Sequence, residues 1–303
     1  MKKTLAILLL LFFLVSCSSS EAGATDSAPQ TYIENKGSDT IVNLALAWAE
    51  RYQLDNPDIS ISVTGGGSGT GIAALVNGTV DIANASRQIK QKEIDLANED
   101  GIEPMEHIIA GDAIAVVVNP TNPVKELTLQ QISDIYSGVY TNWSEVGGDD
   151  RPIVRLSRET NSGTHVYFLE TVVRLGDKES ETLFSTNTLL LPSSEGIISE
   201  VRQNPNAIGY DGLGYVPEDV NMIAIAPEEG DAYILPSVES VNNGTYAIAR
   251  DLYMYTNGEP TGEIAIYLEW ILSPEAQEIV RELGFVPINW ICYKTMVIPF
   301  RIA

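Results

Sequence analysis

Four loops in this chain combine glycine, hydroxyl and arginine residues in ways suited to holding an anion. The richest is Gly65-Gly66-Gly67-Ser68-Gly69-Thr70-Gly71. Little side chain stands in front of its peptide N–H groups, and Ser68 and Thr70 add hydroxyls where a helix is expected to start. The first N–H groups of a helix lack acceptors and its dipole favours negative charge there. The second loop, Ser157-Arg158-Glu159-Thr160-Asn161-Ser162-Gly163-Thr164, brings a fixed cation to another helix start. A guanidinium can pair two oxygens of a phosphate at once and stays charged at any relevant pH. Gly37-Ser38-Asp39-Thr40 is a third helix-start loop, and Ala85-Ser86-Arg87 places a second arginine after a short apolar segment. Each has a plainer alternative: a turn needing positive φ, a surface arginine paired with Glu159, a capping sequence, a solvated arginine.

Better-known motifs fail on the glycine loop. A phosphate-binding loop of the Walker type ends in Gly-Lys-Ser/Thr, but Ile72 follows Gly71. The dinucleotide fingerprint needs glycine where Thr70 follows Gly65 and Gly67, and a nucleophile elbow around Ser68 needs glycine in place of Thr70.

The elements that must position these loops read as alternating strands and helices, an α/β pattern. Ile41, Leu44, Ala45, Trp48 and Tyr52 recur at helical spacing up to Asn56-Pro57. Ile59, Ile61 and Val63 alternate with polar residues and run straight into the glycine loop; Ile72, Leu75 and Val76 make one face of a short helix, and Val80 to Ala83 the next strand. This β-loop-α-β unit puts the glycines at a strand's carboxyl end, where open α/β sheets bind ligands. A second unit follows: Ile153 to Leu156 as strand, the Arg158 loop, then Val166 to Val173 as helix. Between them Ile114 to Val118 reads as a strand ended by Asn119-Pro120, and Tyr246 to Arg250 with Leu252 to Tyr255 as a later pair. Two α/β lobes joined by crossing strands account for the spacing.

The chain has 303 residues, 18 Lys+Arg against 41 Asp+Glu, and a formal charge of −23. That excludes a nucleic-acid partner, since phosphate backbones are held by clustered basic residues. Two cysteines, Cys17 and Cys292, and two histidines, His107 and His165, support neither a disulfide framework nor a histidine-rich metal site. Lys2 and Lys3 precede an unbroken apolar run, Leu5 to Val15, that is too short to span a bilayer and reads as a secretory signal over residues 1–16. Leu14-Val15-Ser16-Cys17 resembles the lipobox of bacterial lipoproteins, which implies a lipid on Cys17 and removal of what precedes it. Residues 17–30 then form a flexible tether rich in small residues. Processing removes two lysines and leaves a charge of −25.

Taken in order, Gly37-Ser38-Asp39-Thr40, Trp48-Ala49-Glu50, Gly65 to Gly71, Asp81-Ile82-Ala83 with Ala85-Ser86-Arg87, Ser157-Arg158-Glu159 with Ser162-Gly163-Thr164, and Ala207-Ile208-Gly209-Tyr210 with Gly212-Leu213-Gly214-Tyr215 resemble the phosphate-binding lipoproteins of the phosphate ABC transporter. The resemblance runs from about Ile33 to Pro287. It implies a type 2 periplasmic-binding-protein fold of two α/β lobes, 31–113 with 241–303 and 114–240, joined by crossing hinge strands. It further implies an extracytoplasmic, lipid-anchored monomer that captures inorganic phosphate in the cleft and docks on membrane permease subunits, with no enzyme activity, cofactor or metal. Ser38, Thr40, Ser68, Arg158, Ser162, Gly163 and Thr164 match the family's phosphate-binding positions, with Asp39, Gly69, Thr70 and Arg87 as weaker candidates.

Two departures stand out. In some relatives a carboxylate follows the Ala-Ser pair and accepts the proton of hydrogen phosphate; here Arg87 stands there, leaving Asp39 or Glu159 as candidate acceptors. Relatives also tend to stop soon after a Gly-Phe-Val-Pro like 284–287, whereas this chain continues with Trp290, Cys292 and Phe300. Two alternatives remain at this level: the same fold holding sulfate, molybdate or tungstate, and a secreted hydrolase using Ser68 or Ser162 with His165 or His107.

Overall fold

A computed structural model describes residues 31–288. The expected signal segment, Cys17, the tether and the tail from residue 289 lie outside the described residues. Along the chain, β1 (Thr31–Gly37), α1 (Asp39–Asp55), β2 (Ile59–Thr64), α2 (Ser68–Val76), β3 (Ile82–Ala85) and α3 (Gln91–Glu99) precede the long strand β4 (Pro104–Val118). Then come β5 (Glu126–Thr128), α4 (Leu129–Ser137), β6 (Val154–Arg158), α5 (Gly163–Phe168), β7 (Leu189–Leu191), α6 (Ser194–Gln203) and β8 (Ala207–Gly212). The rest is β9 (Asn221–Met222), β10 (Ala224–Ala226), α7 (Val238–Asn242), β11 (Ala249–Asn257), α8 (Gly262–Ile271) and α9 (Pro274–Glu282).

The strands form one path, β2-β1-β3-β11-β4-β8-β6-β7, with β9 also on β4 and a small separate pair of β10 and β5. β1 runs parallel to both β2 and β3, with Lys36 opposite Thr64 and Gly37 opposite Asn84. Three carboxyl ends therefore lie side by side, and the loops that leave them are neighbours whatever their separation in sequence. β6 runs parallel to β8 with Val154 opposite Ala207 and Arg155 opposite Ile208, a register that carries Arg158 toward Asp211.

Apolar periodicity explains the layers. Ile41, Leu44, Ala45, Trp48 and Tyr52 of α1 are buried against Ile33, Ile61, Ile109, Leu252 and Met254 in one core. Trp48 keeps its indole N–H satisfied by Ala276 O at 2.9 Å, as a buried polar group requires. A second core gathers Ile114, Val116 and Val118 with Ile132, Trp143, Phe168 and Tyr210, and a third gathers Val117 with Leu156, Ile197 and Val201.

β4 and β11 belong to both halves. Ile109 and Ala110 of β4 sit in the first core while Ala113 and Ile114 sit in the second, so the chain changes partners across Gly111-Asp112. On the return, Tyr246 and Ile248 pack in the second core and Leu252 in the first. The change of core partners thus falls near Ala249–Asp251, within the 241–303 segment that the resemblance assigns to the first lobe. β4 also starts at Pro104, ten residues before the expected Ile114, and the expected pair of strands at 246–255 is the single strand β11. An apolar run alone hid the first part of β4, because Glu106, His107 and Asp112 interrupt it. The expected helix at 166–173 begins earlier, at Gly163, and its second half, Leu169–Val173, winds as a π-helix. Among the described residues no helix is long and apolar enough to cross a membrane.

Candidate functional site

The four loops meet where the two halves face each other. Ser38 precedes α1, Ser68 opens α2 and Ser86 follows β3, and their hydroxyls form one buried cluster. Ser38 donates to Ser86 at 2.9 Å, and Ser68 lies 3.2 Å from Ser86 Oγ while accepting the Ser86 N–H at 3.0 Å. From the other half, Gly163 and Thr164 open α5. Thr164 Oγ1 lies 2.8 Å from Thr40 Oγ1, and a Cβ on Gly163 would sit 2.3 Å from Ser68 Oγ and 2.6 Å from Ser86 Oγ. Glycine is what lets the start of α5 approach the hydroxyls this closely. Ser38, Thr40, Ser68, Ser86, Ser162 and Thr164 are all buried. By helix geometry the leading N–H groups of α1, α2 and α5 find no acceptor within their own helices. Three helix starts and a set of hydroxyls thus converge from both halves, a chemistry suited to an anion's oxygens.

Arg158 is 1% exposed and joins the halves: its Nη2 donates to Asp39 Oδ2 at 2.7 Å and to Pro192 O at 2.9 Å. Nη1 donates to Ser194 Oγ at 2.9 Å and reaches Asp211 Oδ2 at 3.5 Å, while Nε has no protein partner. The full guanidinium fork expected for the anion is thus taken up by the protein, and Nε is the atom left over. Asp39 is fixed on its other side by Gly66 N–H, which donates to Oδ1 at 2.8 Å. Burial raises the Asp211 carboxyl above its ordinary range, with the Arg158 charge opposing the shift.

Not every expected residue reaches the cluster. Arg87 turns away to a bidentate pair with Glu93, at 2.8 and 2.7 Å, and lines a cavity of about 610 Å³ together with Lys90, Tyr167 and Arg250. Glu93, in the first turn of α3, also accepts the Lys90 backbone N–H at 2.8 Å, and that position brings it to Arg87. Gly69 gives its N–H to Asn161 O at 3.0 Å, and Thr70 its hydroxyl to Gly66 O at 2.6 Å, so both serve the loop's shape. Ser162 caps α5, with the His165 N–H at 3.5 Å. Glu159 is exposed. His165 places Nδ1 at 3.0 Å from Ser157 Oγ, not on Ser162, and burial lowers its basicity; His107 bonds Thr256.

Sequence reasoning missed Ser86 as a hydroxyl of the cluster, and it missed Arg250 and Asp112 altogether. Arg250 Nη2 donates to Thr164 Oγ1 at 2.9 Å and to Asp112 Oδ2 at 2.9 Å, and Nη1 donates to Ser86 O at 2.8 Å. Asp112 was detectable as the only charged residue between Ile108 and Val118. Such a charge inside an apolar strand needs a buried partner. Burial pushes its carboxyl up to about 6, against the pull of Arg250 and helped by Asp211.

This geometry, two α/β halves joined by long shared strands with an anion receptor between them, defines the class of solute-binding proteins with a type 2 periplasmic-binding fold. Residues 22–275 match the PBP superfamily domain. The phosphate-binding protein PstS of Pseudomonas aeruginosa is 33% identical over 273 residues, covering 84% of this chain and 83% of the relative. PstS of Bacillus subtilis is 30% identical over 305 residues, 95% of this chain and 96% of the relative. A solved structure from Clostridium perfringens, described as a phosphate ABC transporter substrate-binding protein with bound phosphate, superposes with a TM-score of 0.76 at 35% identity, covering 86% of this chain and 100% of that one. The chain belongs to the PBP superfamily and, within it, to the family of the PstS phosphate-binding proteins, which are binding proteins and not enzymes. The hydrolase alternative is thereby set aside.

Two outcomes follow from the site. Gly163→Ala places a methyl between the halves, so phosphate affinity should fall at least ~10-fold by calorimetric titration, the order of a clash of 1–3 kcal/mol. The melting temperature should change little, because the clash is relieved by parting the halves; unchanged affinity contradicts this contact. The second concerns pH. With their carboxyls raised, buried Asp112 and Asp211 hold protons in the folded chain that the unfolded chain has released; for Asp112 that contribution to stability is lost as pH rises from about 4 through about 6, and Asp211 acts in the same direction. Wild-type minus Asp112→Asn unfolding free energy, from urea titrations, should therefore decline by roughly 1–3 kcal/mol between about pH 4 and pH 7. A constant or rising difference contradicts the assignment.

Proposed function

We propose that this chain captures inorganic phosphate outside the cytoplasm and passes it to the permease subunits of a phosphate ABC transporter. One observation carries the assignment to particular residues. Ser38, Thr40 and Ser68 from one half meet Arg158, Gly163 and Thr164 from the other in a single buried cluster. The names of the relatives, and the phosphate bound in one of them, supply the identity of the anion.

Capture involves no bond making. Phosphate exchanges water for the first N–H groups of α1 and α5 and the Ser68 N–H that opens α2, the hydroxyls of Ser38, Thr40, Ser68, Ser162 and Thr164, and the Nε–H that Arg158 leaves unpaired. Each hydrogen bond to a charged group is worth roughly 1.5–3 kcal/mol net, so about four effective ones supply the ~8.2 kcal/mol of a micromolar site. Only the state in which the halves meet offers donors from both, so the ligand favours that state by its differential affinity. The Asp39 carboxylate, held against Arg158 and Gly66, is the acceptor placed to meet a proton on the bound anion. It would accept from hydrogen phosphate and repel a fully deprotonated sulfate. Gly69, Thr70 and Arg87 support the loops around the ligand. A lipid on Cys17, a tether over residues 17–30 and a monomeric state complete the reading, supported by the Leu14–Cys17 segment and the resemblance described above.

Arg158→Ala should weaken phosphate binding at least ~10-fold by titration calorimetry, the loss of about one charge-assisted bond. An unchanged isotherm removes Arg158 from the site. For the proton reader, Asp39→Asn should narrow the ratio of phosphate to sulfate affinity while Glu159→Gln leaves it in place. If Asp39→Asn leaves the ratio intact, the carboxylate does not read the proton.

A further inference from the structure

We propose that Arg250 and Asp112 are positioning residues of the anion site, and that the pair makes the Thr164 hydroxyl an obligate donor. The inference rests on the phosphate reading above and extends it to two residues that lie on the strands joining the halves. Arg250 of β11 stands opposite Asp112 of β4 in the sheet register, where both strands change from one core to the other. Its Nε and Nη2 donate to Asp112 Oδ2 at 3.2 and 2.9 Å, and its Cζ lies 5.4 Å from the Tyr167 ring centroid, which leaves the guanidinium one orientation.

In that orientation it serves both halves. Nη1 donates to Ser86 O at 2.8 Å and so fixes the loop whose hydroxyl joins Ser38 and Ser68. Nη2 donates to Thr164 Oγ1 at 2.9 Å. A guanidinium has no acceptor, so the direction of this bond is not negotiable. Thr164 accepts from Arg250, and its single proton must go elsewhere, to Thr40 Oγ1 at 2.8 Å or to an anion oxygen seated between the helix starts. Accepting a charged N–H also strengthens the hydroxyl as a donor. Asp112 neutralises a cation that is buried, 8% exposed as a residue, and holds its fork in place. The cation thus acts on the ligand through a hydroxyl, from the region of the fold that both halves share.

A structural ion pair in the connecting strands would have the same contacts, and a mutant cycle separates the two. Arg250→Met with Asp112→Leu removes both charges without orphaning either. Phosphate titrations of this double variant, of Thr164→Val and of the combination, with thermal unfolding to confirm the fold, give the coupling. We expect Thr164→Val to lose ~10-fold in affinity, the double variant ~5-fold, and the combination no more than ~3-fold beyond Thr164→Val alone, since the pair acts through that hydroxyl. Losses that multiply, or a double variant that binds as wild type does, overturn the proposal. If the double variant does not fold, Arg250→Lys takes its place in the cycle. It keeps a cation for Asp112 but replaces the two terminal nitrogens that reach Ser86 O and Thr164 Oγ1 separately by one ammonium without the planar fork. A wild-type protein that takes up no phosphate overturns the parent reading and this one with it. That failure is told apart because no variant then has a signal to lose.

Discussion

A fixed cation as deeply buried as the guanidinium of Arg158 is tolerated only where acceptors surround it, and here the acceptors come from both halves. Asp211, Ser194 and Pro192 hold it from its own side, and Asp39 reaches it from across the cleft at 2.7 Å. Removing one member of such a set leaves an unpaired charge, which costs more than the pair contributes. The placement of α1 against the β6 loop, the approach of Gly163 to Ser68, and the meeting of Thr40 with Thr164 all depend on the same closure. Arg250 makes the corresponding connection deeper in the fold, where β4 and β11 pass between the halves.

The charge balance of the chain makes the nature of the receptor intelligible. A protein of −23 is an unpromising host for an anion if net charge decides. Beyond about 8–10 Å, however, physiological salt screens that field. Within that distance the cluster offers Arg158, Arg250, Asp39, Asp112 and Asp211 together with neutral hydroxyls and peptide N–H groups. Asp112 and Asp211 each face a buried guanidinium, Arg250 and Arg158, so their charges are met inside the cluster. On the phosphate reading proposed above, directed donors rather than net charge set affinity.

Much of this was readable from local sequence. The glycine loop, the Ser38 loop and the Arg158 loop announced themselves because strand ends, helix starts and small residues are local features. Their convergence followed from parallel register, which an α/β pattern implies. What stayed hidden was long-range pairing. Arg250 and Asp112 are 138 residues apart, and Asp39 and Arg158 are 119 apart, and no periodicity joins them. Arg87 misled for the opposite reason: its position after the Ala-Ser pair pointed to the ligand, while its partner Glu93 lay six residues on in a helix cap. The return crossing was equally hard to place, because the apolar pattern splits β11 into two, although Tyr246 and Ile248 still pack in the second core.

On the reading proposed above, donors from both halves, with Asp39 reading the proton, select hydrogen phosphate. The most direct measurement is calorimetric titration of one phosphate-free preparation with phosphate and with sulfate at the same salt and pH. A phosphate dissociation constant of about a micromolar or below is expected, with sulfate at least ~100-fold weaker, because the Asp39 carboxylate would face an oxygen without a proton. Equal affinity for the two ions, or binding of sulfate alone, would contradict it.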